Sequence, residues 1–315
     1  MLEEIFDVVL QPTLRFQVSQ LDWDTLPPLE SDLSLDSDFW IGRLPYSVSS
    51  ESIIDAYSPA GFNFHPSRNP GYRYAFCRKV HPPNNGPEHL RWDHDGVICR
   101  ALFLSCLIHP TTIAPDCSAR LFLEDGELKT IVPGPVQGAI TQVWIVATQW
   151  RDWLTKAEGE LLRDSLPIYI QNPPDRVRRA RSRIDQAFHA FYLDQRTASI
   201  VSSFESLLKV ERNAATEQFA LRVPALAQMV GLSIQSDEAK VLYDDRSVFV
   251  HGRQPNYTDV SDEVMERYNR FETVLRRSLL RASTDTNFCD IFATDDTVVR
   301  AFGQLTKRKK SCASV

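Results

Sequence analysis

A chain of 315 residues, 43% hydrophobic and 24% charged with a formal charge of −6, is long enough for two domains of ordinary size, each with its own core. That balance excludes a protein coated in base for non-specific nucleic-acid binding and leaves only local basic patches to consider. Six cysteines without a C-x-x-C spacing, and an acidic start MLEEIFDVVL where a secretory signal needs basic residues, lead us to expect reduced thiols in the cytoplasm.

The first forty residues are acidic and proline-containing without a sustained helical period, so strands and loops are expected there. Residues 1–60 hold eleven acids against Arg15 and Arg43. From about Tyr72 the pattern is β-like: YRYAFCRKV, then VICRALFLSCLI, then ARLFLEDGELKTIVPG, with Asp125-Gly126 placed as a hairpin turn between two apolar strands. The run VICRALFLSCLI is short and broken by Arg100, so no membrane segment is expected. Around Asp93-His94-Asp95 and His89 the Asp95-Gly96 pair argues for a turn. No metal-ligand spacing supports a site, and neither metal nor cofactor is expected. Residues 1–140 are read as a β-rich domain with a sensing or regulatory role.

Residues 141–174 connect a strand-like VWIVATQW to a helical stretch. Beyond Pro174 the period is helical. Helices are predicted over 175–193, with Val177, Ala180, Ile184, Ala187, Phe188 and Phe191 inward; over 197–211, with Ile200, Phe204, Leu207 and Leu208 inward; and over 215–230, ending at Gly231. A fourth helix is expected after Ser236, whose hydroxyl can cap it. A fifth is expected over 261–282, with Val264, Tyr268, Phe271, Leu275 and Leu279 inward. Short connections make the helices of 175–283 antiparallel neighbours in a bundle. Residues 284–315, ending in KRKK at 307–310, are read as a solvated tail. The expected fold class is therefore α+β, a β-rich N-terminal domain followed by an all-α bundle.

The stretch VLYDDRSVFVHG (241–252) sets Arg246 and His251 in an apolar run closed by Gly252. Val241, Leu242, Val248 and Phe249 are expected to face the core, which puts His251 in the last turn. There the carbonyl end of the helix favours the imidazolium form. Arg246 is five residues earlier, roughly 140° around the helix and about 7.5 Å along it. A site using both is easier to build when a second helix, or a second copy of this one, supplies the opposite wall, so a homodimer is expected. The metal-independent chemistry that uses such groups is attack of an RNA 2′-hydroxyl on the adjacent phosphate. A histidine moves the proton and an arginine fork holds the non-bridging oxygens. DNA lacks that hydroxyl. The competing reading makes Arg246 a surface partner of Asp244 or Asp245 and His251 a cap of the last carbonyls.

Arg176, Arg179 and Arg183 fall on one side of their predicted helix and offer a phosphate track for RNA, or else a solvated face paired with residues such as Asp175. Tyr243 can stack a base or pack in the interior.

Three segments in order, FESLLKVE (204–211), FALRVPALAQMVG (219–231) and VLYDDRSVFVHG (241–252), resemble the HEPN superfamily, most closely its Apea-like branch. The resemblance covers about 110 residues, from about 175 to 282. It implies a helical bundle that dimerises to join two R-x4-6-H motifs in one cleft, with RNA as substrate and a toxin or phage-defence role under an inhibitor or trigger. Arg246 and His251 map onto that motif as catalytic residues. Ser247 stands where many members carry Asn, Asp or His, and it is counted with Asp245 as a supporting residue. Glu205 matches an acidic position that orients Arg246 or His251, its alternative being an i,i+4 pair with Lys209. Some members have lost catalysis and serve as nucleotide- or protein-binding dimerisation modules, so that function stays open beside the endoribonuclease.

Overall fold

The computed structural model describes residues 3–12, 32–46, 48–56, 72–81, 96–109, 117–134, 154–190, 193–211, 214–250 and 261–302. They divide into two compact units, one built on a sheet and drawn from described residues up to Pro167, the other from Ile168 onward together with Cys106–Ile108, the end of the helix that begins at Val97. The first is a mixed unit around six antiparallel strands; the second is helical. The readings made for 82–87, for Asp93-His94-Asp95 and His89, for Phe191, for VWIVATQW, for His251 with Gly252, and for KRKK lie outside the described residues.

The sheet unit contains β1 (Glu3–Pro12), β2 (Leu33–Ser34), β3 (Phe39–Gly42), α1 (Ser50–Asp55), β4 (Tyr72–Val80), α2 (Val97–Ile108), β5 (Cys117–Glu124), β6 (Glu127–Pro133) and α3 (Lys156–Ser165). The strand order is β2-β3-β4-β1-β5-β6, all antiparallel, so β1 lies inside the sheet. Ile5, Phe6, Asp7 and Val8 are all buried. Alternate residues point to opposite faces, so both faces of this strand are covered. One carries Phe6, Val8, Ala75, Cys77, Ala119, Leu121 and Leu123 with Ile53 of α1 against them. The other carries an ion pair: Asp7 sits directly across from Arg120, which donates from Nε and Nη2 to the two carboxylate oxygens at 2.6 and 2.7 Å. Asp125 (φ 52°) and Gly126 (φ 82°) close the β5-β6 hairpin, both in the left-handed region that a tight two-residue hairpin turn demands.

One expectation is corrected in this unit. VICRALFLSCLI forms the helix α2, not a strand. A run this apolar carries too weak a period to separate the two, and its twelve residues exceed an ordinary strand. Ile98, Ala101, Leu104, Ser105 and Leu107 are buried at helical intervals.

The helical unit consists of α4 (Asp175–His189), α5 (Leu193–Leu208), α6 (Ala215–Met229), α7 (Ser236–Val250), α8 (Asp262–Thr284), α9 (Thr286–Asp290) and the helical residues 295–302. α5 packs against α4, α6, α7 and α8 and is the centre of the unit. Phe204 is fully buried and meets Phe219 and Phe271 edge-on at centroid distances of 5.8 and 6.4 Å. Such pairs add roughly 0.5–1.5 kcal/mol each beyond their area. Gly231 (φ 73°) ends α6 as a Schellman cap: its N–H donates to the Gln228 carbonyl and that of Leu232 to Ala227. Ser236 is the first helical residue of α7, not its cap. The capping contact is made by Glu238, whose carboxylate accepts from the Gln235 N–H at 2.9 Å.

The expected tail is also corrected in part. Phe288, Cys289, Phe292, Val298 and Phe302 are buried, because their apolar side chains have the helical unit to pack against.

Candidate functional site

Along α7, Ala239, Leu242 and Tyr243 are buried and Arg246 follows at the next step of the same i, i+3, i+4, i+7 stripe. Arg246 therefore occupies an inward position. Val241, expected in the core, is 41% exposed because it falls on the opposite side. The side chains of Val248 and Phe249, and all of His251, are outside the description.

Facing Arg246 across the interface is α5, and there the structure brings together Glu205, Tyr243 and Arg246. The Tyr243 hydroxyl donates to Glu205 Oε1 at 2.9 Å, while Glu205 Oε2 lies 3.7 Å from Arg246 Nη2. Tyr243 stacks at a tilt on Phe219 with centroids 5.0 Å apart, and the Arg246 guanidinium carbon lies 5.8 Å from its ring centre. An aromatic series, Phe271 to Phe204 to Phe219 to Tyr243, thus runs from the core to the guanidinium. It fixes the phenol, the phenol fixes the carboxylate, and the carboxylate faces the arginine. Burial, and then the hydrogen bond to Glu205, push the Tyr243 phenol above its ordinary value.

The Arg246 side chain is 28% exposed, and its Nε is buried without a hydrogen-bond partner among the described residues. Removing that donor from water without a partner has an energetic cost. The head group stays open on one side. A guanidinium so held can offer parallel N–H donors to an oxyanion with little reorganisation.

Among the remaining sequence-predicted residues, Asp245 turns away to α8, where Arg267 donates to it at 3.0 Å. Burial raises the Asp245 carboxyl above the ordinary range, more than Arg267 lowers it. Ser247 hydrogen-bonds the Tyr243 carbonyl one turn back at 3.4 Å, a local contact. Tyr243 is 8% exposed, so packing and not base stacking is the role its position allows. Glu205 makes no pair with Lys209, which meets Asp295 at 3.2 Å instead.

The basic helix α4 does not present a uniform track. Arg176 donates to the Ser206 carbonyl at 3.1 Å and is paired with Asp295. Arg183 bonds Gln186 at 2.9 Å, and Arg179 is exposed with no ion pair among the described residues. Arg178 pairs with Asp175, and Arg181 is buried on Tyr169.

Arg222 and Asp295 were not singled out in the sequence, and Lys209 was considered only as a partner of Glu205. Arg222 donates to the carbonyls of Leu208 and Lys209, closing the end of α5, and Lys209 is held at φ 49°. Three arginines from three helices therefore meet the last turn of α5: Arg246 at Glu205, Arg176 at Ser206, and Arg222 at Leu208 and Lys209. Positive groups belong at that end, where the helix carbonyls concentrate negative charge. The signal for Arg222 was its place inside FALRVPALAQMVG; for Asp295 there was none, since the tail pattern hid it.

Among the described residues, no group of three or more His, Cys, Asp or Glu could hold a metal ion, and no helix is long and apolar enough to cross a membrane. No protein-family model, curated protein or solved structure matches the chain.

Proposed function

We propose that the helical unit is a HEPN-type domain of the Apea-like branch and that it cleaves RNA as a metal-independent endoribonuclease. The observation that supports this reading is the placement of Arg246. An arginine on the inward stripe of its helix, half-buried, braced by Glu205 and Tyr243 and without a partner at Nε among the described residues, is poorly explained as a surface salt bridge. It suits a group that waits for a phosphate.

The proposed reaction is transesterification. A neutral His251 imidazole takes the 2′-hydroxyl proton, the oxygen attacks the adjacent phosphorus, and the bond to the 5′-oxygen breaks. The leaving oxygen takes a proton from an imidazolium, and the products are a 2′,3′-cyclic phosphate and a 5′-hydroxyl. Arg246 holds the non-bridging oxygens as their charge grows. Two imidazoles in opposite protonation states are wanted, which is why the functional form is proposed to be a homodimer joined through this domain. The sheet unit is assigned a sensing or regulatory part, in a cytoplasmic toxin or phage-defence role.

A second reading is favoured by one observation. Glu205 already partly neutralises Arg246, as in a HEPN module that binds a nucleotide or protein without cutting RNA. The two readings separate in one assay. Single-stranded RNA, but not the matching DNA, is expected to be cut in the presence of EDTA, and Arg246→Ala and His251→Ala are each expected to abolish the cutting. A folded wild-type chain that leaves RNA intact, alone or dimeric, favours the binding module.

A further inference from the structure

The end of α5 carries a second basic cluster that the proposed chemistry does not use. Arg176 on α4, Lys209 just past α5, and Arg222 on α6 all reach it, and Arg179 lies one turn beyond Arg176 on the same face of α4. Against these four cations, one carboxylate among the described residues is in direct contact. Asp295 gives one oxygen to Arg176 and the other to Lys209, bridging the two. Glu211 acts on Arg222 from further off.

Three features distinguish this arrangement from an ordinary surface ion pair. The Arg176 side chain is largely buried, and burial, followed by repulsion from Arg179 and Arg222, makes its guanidinium less basic than usual. Asp295 itself is 53% exposed, and the helical segment it begins is capped by Thr294, which accepts from the Thr297 N–H at 3.2 Å. The cap does not need Asp295. Finally, a carboxylate with its two oxygens on two separate cations has the geometry of two non-bridging oxygens of a phosphodiester.

We propose that Arg176, Arg179 and Lys209 form a phosphate subsite for single-stranded RNA, and that Asp295 occupies it as a built-in competitor until RNA displaces it. The subsite rests on the reading of this unit as one that handles RNA. The cluster and the Glu205–Arg246 contact share the last turn of α5, where Glu205 is followed by Ser206, whose carbonyl holds Arg176; successive helix positions are about 100° apart, so they are separate points on that turn. The carboxylate sets a threshold: weak anions leave Asp295 in place, whereas a strand whose phosphates engage Arg176, Arg179 and Lys209 together replaces it.

The test is binding of a fluorescein-labelled 2′-O-methyl oligonucleotide, which cannot be cleaved, to the full chain at NaCl concentrations from low to physiological. Each phosphate neutralised contributes about 0.7 to the slope of log affinity against log salt for single strands. Arg179→Ala is expected to weaken binding about three- to tenfold and to make the slope shallower by about 0.7. Asp295→Asn is expected to tighten binding by a similar factor and to steepen the slope. Arg179 is exposed and unpaired among the described residues, so its replacement leaves the fold intact and keeps the test decisive even if Asp295→Asn unfolds. The proposal is overturned if Arg179→Ala changes neither affinity nor slope, if a folded Asp295→Asn protein binds no better than wild type, or if inorganic phosphate binds and the oligonucleotide does not. Because the probe is uncleavable, loss of the subsite and absence of cleavage are read separately: a chain that binds as described but never cuts natural RNA refutes the endoribonuclease and keeps the subsite.

Discussion

The coupling between Glu205 and Tyr243 is open to a double-mutant cycle. Tyr243 is 8% exposed and its hydroxyl donates to a carboxylate at 2.9 Å, a hydrogen bond to a charged acceptor worth about 1.5–3 kcal/mol in a protected setting. The Glu205–Arg246 contact is longer, 3.7 Å, and each side chain is about a quarter exposed, so solvent screening reduces it to about 0–1 kcal/mol. Glu205→Ala strands the buried phenol and should destabilise the helical unit by about 2–3 kcal/mol, Tyr243→Phe by about 1–2 kcal/mol, and the pair together by little more than Glu205→Ala alone. Arg246→Ala should cost less than either, about 1 kcal/mol or below, because it also removes a buried Nε that has no partner among the described residues. Urea unfolding followed by far-ultraviolet circular dichroism measures all four. A coupling below about 0.3 kcal/mol between Glu205 and Tyr243 would refute the idea that the phenol fixes the carboxylate. The same hydrogen bond predicts an alkaline effect. The folded phenol titrates above its ordinary value of 10.0, so its contribution is whole below that pH and is lost as pH rises toward the folded value. Tyr243→Phe should remove that part of the alkaline loss.

Two other outcomes test the architecture. In the sheet, Asp7→Ala or Arg120→Leu alone should cost about 3–5 kcal/mol, since each leaves the other charge buried, whereas a well-packed apolar pair at both positions should approach wild-type stability in thermal unfolding. Gly231→Ala should cost about 1 kcal/mol through backbone strain alone, because φ is 73° and nothing lies within 4 Å of the added methyl; a neutral result in chemical denaturation would count against the Schellman assignment.

Much of the helical unit was legible because its stripes recur at the helical period. Val177, Ala180, Ile184, Ala187, Ile200, Phe204 and Leu207 are inward as their spacing demanded, and Gly231 stops α6 because only a residue tolerant of positive φ fits there. The Asp125-Gly126 turn was legible for the same local reason. α2 was not, since a run this apolar has too weak a periodicity to read. Val241 and Arg246 show the limit within a single helix: hydrophobicity ranked Val241 as the inward residue, while the packing of α7 on α5 and α6 turned Arg246 inward and Val241 out.

Local order, then, was decided by the chain itself: helix spacing, turn chemistry and caps depend on neighbours within a few residues. Which charge meets which was not fixed by the chain itself: the Glu205–Arg246 contact was expected only from the resemblance and beside a local alternative. Glu205 had Lys209 one turn away and took Tyr243 and Arg246 from 38 and 41 positions further on, while Lys209 and Arg176 were claimed by Asp295 from beyond the predicted bundle. Such pairings depend on distances between helices, and those are set only when the cores close and bring remote side chains within reach of one another.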